Sequence, residues 1–423
     1  MVTRKQPYDE CAVTGSRSLS TPEAATFRRV AIISDFEEER WRSMDLVSEM
    51  LVSHLSDSSS IRASRICPKF RGRATRFPIA RTQNSFGMID RLLNRYWDYP
   101  RWLKDHIQSF DLFHIIDHSY AHLVNVLPAN RTLVTCHDLD AFRVLWGESR
   151  SRASWILRPL FKRTLSGLQK AAMVTCDSAS VREQMLEYRL LPPDRIKVVP
   201  VGVHPVCSPI ADNAADRELT SLIGPRLSEV AELVHVGSTI PRKRIDVLLK
   251  IVARLRTLGQ SQVRLLRIGE EFTADQNRLI QQLQIADCIV CLPSLSWPLL
   301  AAAYRRADLY LQTSDAEGFG LPIAEAMACK TPVIASDLEV LRETGGDAAS
   351  YCAVGEVEEW TASIASLLRE KKENPDRWES RRERSLAQAA KFSWHDFARE
   401  MAGLYLELSA AASLREEALA ARF

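Results

Sequence analysis

Apolar residues in this chain gather into short runs, each closed by a polar or glycine turn, and the intervals between them carry apolar residues at helical spacing. The runs 28–35, 111–117, 132–136, 171–176 and 196–203 occupy the first half, and 231–237, 263–269, 288–292, 307–311 and 331–337 the second. Short continuous runs of this kind fit strands covered on both faces, as in a parallel sheet. Between them, Leu46, Met50, Leu51 and Leu55 mark one helix and Val247, Leu248, Ile251 and Leu255 another; 299–307 and 322–328 read the same way. Ser180 and Glu183 have the spacing of a capping box for a helix from about Val181. This alternation predicts an α/β protein of two doubly wound, Rossmann-like domains facing one another across a cleft. The polar, Ala- and Asp-rich stretch 208–217 reads as a boundary. The expected division is a disordered tail over 1–26, a first domain over 27–205 and a second over 206–391, followed by a helical segment, 392–423, carrying Trp394, Phe397, Met401, Leu404 and Tyr405.

Composition removes several classes of function. A hydrophobic content of 46% describes an ordinary globular protein with ample core, and a net charge of +3 is too small for a general nucleic-acid binder. Nine cysteines with no CxxC pair and no His/Cys metal spacing point to reduced thiols and a cytoplasmic location. No apolar run is long enough for a membrane span, and residues 1–26 lack the apolar centre of a secretory signal. Two basic and aromatic stretches stay open in meaning. Arg71, Arg73, Arg76, Phe77, Arg81, Arg91, Arg95, Tyr96, Trp97, Arg101 and Trp102 fit a lipid interface or an anionic acceptor, and equally a loop and helix whose aromatics enter the core. In 149–167, Arg150, Arg152, Arg158, Lys162 and Arg163 surround Trp155, Ile156, Leu157, Leu160 and Phe161, which suits a membrane-surface helix or a helix covering the cleft, with Pro159 interrupting the pattern.

Candidate chemistry lies where strands end, because polar groups at the carboxyl ends of parallel strands face the ligand crevice. That rule selects Asp117, His118, Ser119 and Tyr120, then His137 and Asp138. After 307–311 comes the loop Ser314-Asp315-Ala316-Glu317-Gly318-Phe319-Gly320-Leu321-Pro322, whose glycines let the backbone approach a ligand and whose following helix opens with unpaired N–H donors. Pro241-Arg242-Lys243-Arg244 precedes another helix, where cations repel the helix dipole unless an anion is present.

Glu317 and Glu325, flanked by EGFGLP and AEAMAC and followed by 331–337, resemble the signature of the retaining glycosyltransferases of the GT-B fold, in particular family 4. The resemblance runs from Arg28 through nearly the whole chain. It implies a nucleotide-sugar donor, no separate cofactor, no metal, no nucleic acid, and a saccharide or lipid-linked acceptor. Polysaccharide or cell-envelope synthesis and a peripheral contact with the inner membrane face accompany it. By the same resemblance Glu317 orients the reacting sugar, Glu325 meets the ribose, Lys243 grips the diphosphate, and N–H groups of Gly318, Phe319, Gly320 and Leu321 lie near phosphate and sugar. His137, in Thr135-Cys136-His137-Asp138, matches a catalytic contact to donor or acceptor, and the segment 392–423 crosses back onto the first, acceptor-side domain. There are departures. The arginine usual after Gly237 is Ser238, with Arg242 as the compensating cation; Lys330 replaces a glycine; and paired glycines after the first strand give way to Glu38, Arg40, Trp41 and Ser43. Those departures keep open a non-catalytic GT-B subunit, and the fold alone also admits a sugar-nucleotide epimerase.

Overall fold

The computed structural model describes residues 27–39, 41–56, 58–73, 84–147, 152–259 and 262–420. The tail 1–26, together with Arg40, Arg76, Phe77, Arg81, Arg150 and the side chains of Arg152 and Trp155, lies outside the described residues. Six strands, β1 (Arg28–Ile33), β2 (Ile61–Ile66), β3 (Leu112–Ile115), β4 (Thr132–Cys136), β5 (Met173–Cys176) and β6 (Ile196–Val198), form one parallel sheet in the order β2-β1-β3-β4-β5-β6. Six more, β7 (Val230–Gly237), β8 (Gln262–Gly269), β9 (Ile289–Leu292), β10 (Leu309–Gln312), β11 (Val333–Ser336) and β12 (Ser350–Cys352), form a second in the order β12-β11-β10-β7-β8-β9. Helices cover both faces of each sheet, so the central strands are apolar on both sides: Val30 to Ile33, Leu133 and Val134, and Leu309 to Leu311 are all buried. Strand order reverses between β1 and β3 and again between β7 and β10, which places a crevice at the carboxyl ends of each pair.

Several local expectations change. The edge strands β2 and β12 escape a search for continuous apolar runs, because β2, Ile-Arg-Ala-Ser-Arg-Ile, alternates with burial on one side only. β6 covers three residues rather than the whole of 196–203. The helix Asn213–Ile223 begins inside the stretch read as boundary, since Asp212 caps it by accepting N–H bonds from Ala214 and Ala215 at 3.0 and 3.1 Å. The helix Ala179–Glu187 is capped by Ser178, whose Oγ accepts from Val181 N at 3.2 Å, not by Ser180. Pro159 lies within the helix Arg152–Lys170.

The helix Trp394–Ala420 packs on the first sheet, where Phe397, Met401 and Tyr405 join Val30, Leu46 and Leu51 in one core. Burying each of those side chains is worth about 1.5–3 kcal/mol. A hydrogen bond of 2.6 Å between Tyr405 Oη and the buried His114 Nδ1 fixes the helix to β3.

Candidate active site

At the switch point of the second sheet, β7 ends at Gly237 and β10 at Gln312, and the loop after β10 turns into the helix Leu321–Ala328. The Glu317 side chain in that loop is 7% exposed. It accepts from Lys243 Nζ at 2.6 Å, from Ser314 Oγ at 2.6 Å, from Gln312 Nε2, and from Arg242 Nη1 at 3.4 Å. Burial pushes its carboxyl up, but Lys243 and Arg242 outweigh that and hold it below the usual carboxylate range. The basic turn therefore carries its own counter-anions. Arg242 also donates to Ala316 O at 3.0 Å and reaches Asp138 at 3.4 Å and Asp140 at 3.2 Å on the other domain, while Arg244, with φ +49°, pairs with Asp246. An anionic ligand arriving here would exchange these carboxylates for its own oxygens without moving the cations far.

The loop is shaped as much by the facing domain as by any ligand. A Cβ on Gly318 would stand 1.8 Å from His137 O, and Ser178 Oγ donates to Gly318 O at 2.7 Å, so glycine is required for the domains to meet. Gly320 caps the helix with φ +91°, a conformation glycine adopts without strain. Glu343 adds a second contact between domains, accepting from Ala179 N at 2.7 Å and Ser180 N at 3.3 Å at a helix start.

On the first domain, His137 donates from Nδ1 to Asp177 at 2.5 Å and from Nε2 to Ile116 O at 2.9 Å. Burial lowers its pKa, yet the Asp177 and Asp117 carboxylates and the Ile116 carbonyl raise it to about 9. Both ring nitrogens are engaged, so a contact from His137 to donor or acceptor would have to replace one of these two bonds. At the first switch point Asp35 and Asp117 lie side by side. Burial, then Asp117, raises the Asp35 pKa well above the carboxylate range; Asp117, despite burial, falls to about 2 through His118, Ser119 and Arg95. Glu39, beside them, pairs with Arg95. Between the domains a cavity of about 290 Å³ is bounded by Asp138, Asp140, Trp146, Tyr188, Arg242 and Glu317, among others.

Of the residues expected at the site, Glu317, Arg242, Lys243 and the backbone of Gly318 meet in one cluster. Glu325 stands apart: it is buried on the inner face of its helix, takes a hydrogen bond from Tyr304 Oη at 2.9 Å, and burial raises it to about 7. Gly237 closes β7, and its carbonyl leaves no room for a side chain on Gly269. Ser238 supplies no cation; its carbonyl accepts from the fully buried Arg267 at 3.1 Å. Phe319 turns its ring into the core against Phe392, with Leu321 packed beside that core, leaving only their backbone for a ligand. Lys330 sits at φ +59°, which explains the glycine usual there, and its Nζ bonds Glu379 and Glu383. Of the basic and aromatic stretch, Trp102 packs against the core, Arg73 pairs with Asp98 and Arg95 with Glu39, and Trp97 stays exposed. Sequence reasoning missed Gln312, which the strand-end rule would have found, and Asp35, Trp146 and Tyr188, which only the folded chain brings near the cleft. Among the described residues no three His, Cys, Asp or Glu side chains converge as metal ligands, and no helix is long and apolar enough to cross a membrane.

Comparison with known proteins gives two family matches: Glycosyltransferase Family 4 over residues 52–206 and Glycosyl transferases group 1 over 225–384. The D-inositol 3-phosphate glycosyltransferase of Segniliparus rotundus is 34% identical over 217 residues, 50% of this chain and 46% of that protein. The MMP alpha-(1->4)-mannosyltransferase of Mycolicibacterium hassiacum is 29% identical over 266 residues, 60% of each. The chain spans about half the length of the curated relatives it matches. Among solved structures, sucrose-phosphate synthase from Thermosynechococcus elongatus superposes with a TM-score of 0.66 at 18% identity, over 91% of this chain and 100% of that one. Anabaena HepE in complex with UDP and glucose gives 0.67 at 14%, over 90% and 100%. At such identities these two show the shared fold.

Proposed function

We propose, from the premise that this chain belongs to the GT-B glycosyltransferases of the family 4 and group 1 type, that it moves a hexosyl group from a nucleotide-sugar to a saccharide or lipid-linked acceptor, with retention and without metal. One observation carries this reading: Lys243, Arg242 and Glu317 converge at the switch point of the second sheet, beside a helix start and against Asp138 of the facing domain. Cleavage of the bond between the anomeric carbon and the diphosphate oxygen leaves the electron pair on that oxygen. Lys243 and Arg242, fixed beforehand by their carboxylates, would stabilise the developing charge as metal ions do elsewhere. The acceptor oxygen joins the anomeric carbon on the face the diphosphate leaves, and its proton passes to the departing phosphate oxygen. Glu317, released from Lys243, would take the sugar hydroxyls, and Glu325 would exchange Tyr304 Oη for a ribose hydroxyl. Gly237, Ser238, Phe319, Gly320 and Leu321 would contribute backbone to the donor pocket.

Release of nucleoside diphosphate from a panel of UDP-, GDP- and ADP-sugars with mixed acceptors tests the reading. Turnover with at least one donor, surviving EDTA and giving product of the donor's anomeric configuration, is expected. Nucleotide binding without turnover would favour a non-catalytic subunit. A lipid-linked acceptor would be met at a membrane face through the exposed Ile156, Lys162 and Arg163 of the helix Arg152–Lys170; co-sedimentation with phosphatidylglycerol vesicles, abolished by Ile156→Glu, is the expected sign, and no co-sedimentation would remove the idea.

A further inference from the structure

We propose that the cavity between the domains is an acceptor subsite for an uncharged or amino-bearing sugar and that it disfavours a phosphorylated one, an inference that rests on the transferase reading above. The cavity is lined by six carboxylates, Asp138, Asp140 and Glu187 from the first domain and Asp315, Glu317 and Glu339 from the second. Two guanidiniums oppose them, and both are already engaged. Arg242 contacts Asp138, Asp140 and Glu317, and Arg143 lies 3.3 Å from Asp140. A donor diphosphate that draws Arg242 and Lys243 to itself leaves these carboxylates less compensated, so a second phosphate entering beside it meets a field of its own sign.

The remaining wall suits a sugar ring. Trp146 and Tyr188 stack at 3.8 Å with 5° between their planes, and present a flat apolar surface on which the C–H face of a pyranose can lie and which attracts an ammonium group.

A second observation lies deeper, at the end of β1. Asp35 is 3% exposed and its carboxyl lies against that of Asp117; burial and this neighbour raise Asp35 well above the carboxylate range while Asp117 is held at about 2, so a neutral acid sits beside an ionised one. The oxygens of this pair that accept from no described residue can take hydrogen bonds from sugar hydroxyls or an amine. Its neighbour Asp117 leads outward to the cavity wall, through His118 Nδ1 at 3.3 Å and from His118 Nε2 to Asp138 at 3.8 Å. Asp35 and Asp117 together can both donate and accept, as a hydroxyl pair requires.

Three probes sharing one ring separate the alternatives: glucose, glucosamine and glucose 6-phosphate, each followed by saturation-transfer NMR on the full chain, with and without UDP or GDP. The expected order is glucosamine first, then glucose, with glucose 6-phosphate at least about tenfold weaker than glucose. Glu187→Arg, at the cavity wall, should narrow that gap by about threefold. Asp117→Asn, which removes the ionised carboxylate of the pair, should weaken glucosamine by about tenfold while nucleoside diphosphate binding stays unchanged. If Asp117→Asn does not fold, Trp146→Ala read with glucose makes the same test of the subsite. Glucose 6-phosphate binding as well as glucose, or none of the three sugars binding, overturns the proposal. Nucleoside diphosphate binding and sugar transfer are measured on the same samples: their failure with the sugar order intact would remove the transferase reading and leave the sugar subsite, and the converse would do the reverse.

Discussion

At the ligand end of the second sheet, Lys243 and Arg242 are gathered around a single loop carboxylate, whereas at the corresponding end of the first sheet Asp35, Asp117, Asp138 and Asp177 are gathered around two imidazoles, His118 and His137. The two domains share a parallel architecture, a strand-order reversal and a crevice, yet the crevices carry opposite chemistry. The cation-rich one suits a diphosphate whose charge grows as its bond breaks; the carboxylate-rich one suits hydroxyls. Backbone topology sets where ligands go, and the loops after β1, β3, β7 and β10 set which ligand goes to which side.

The largest expected effect falls on the loop carboxylate shared by the cations. Glu317→Gln keeps the shape and removes the charge, so turnover should fall by about a hundredfold or more with donor affinity little changed, as for an interaction strengthened in the transition state. Steady-state kinetics beside melting curves check this; a stable variant with normal turnover would remove Glu317 from the reaction.

The next effect belongs to the other crevice. His137 has a folded pKa of about 9, above its ordinary value, so its pairing with Asp177 is fully present below about pH 6.5 and is lost as pH rises through 9. The pair should contribute about 3 kcal/mol at acidic pH. His137→Gln should flatten the decline of thermal stability between pH 7 and 9, and an unchanged decline would show that the imidazolium is not the cause.

Glu325 gives the smallest and most discriminating effect. Burial raises it to about 7, so ionisation costs stability as pH rises from the ordinary carboxylate range through that value. Glu325→Gln avoids the cost and should melt no lower than the parent at pH 8, while the donor Michaelis constant rises about tenfold through loss of a ribose contact. A normal Michaelis constant would leave Glu325 a partner of Tyr304 and nothing more.

How much of this was legible in the sequence differs between the crevices for a physical reason. On the side proposed for the donor each piece is contiguous: PRKR and EGFGLP each lie within one loop, and it is the family resemblance, not spacing, that sets the two loops, 75 positions apart, on one ligand. The central strands are continuous apolar runs and were equally plain, unlike the alternating edge strand β2. On the acceptor side Asp35, Arg95 and Asp117 are scattered over more than eighty positions and are brought together only because β3 pairs with β1 across the sheet. Gly318 was read as clearance for a ligand, but its clearance serves the His137 carbonyl of the facing domain, a contact no local pattern encodes.

The division of labour is tested most directly by calorimetric titration of UDP and GDP into the wild type, Lys243→Ala and Asp117→Asn. Loss of Lys243 should weaken whichever nucleoside diphosphate binds by about ten- to a hundredfold, the worth of one charge-assisted contact, while Asp117→Asn leaves it unchanged. Undiminished binding in Lys243→Ala, or a comparable loss in Asp117→Asn, would contradict the assignment of the diphosphate to the second domain.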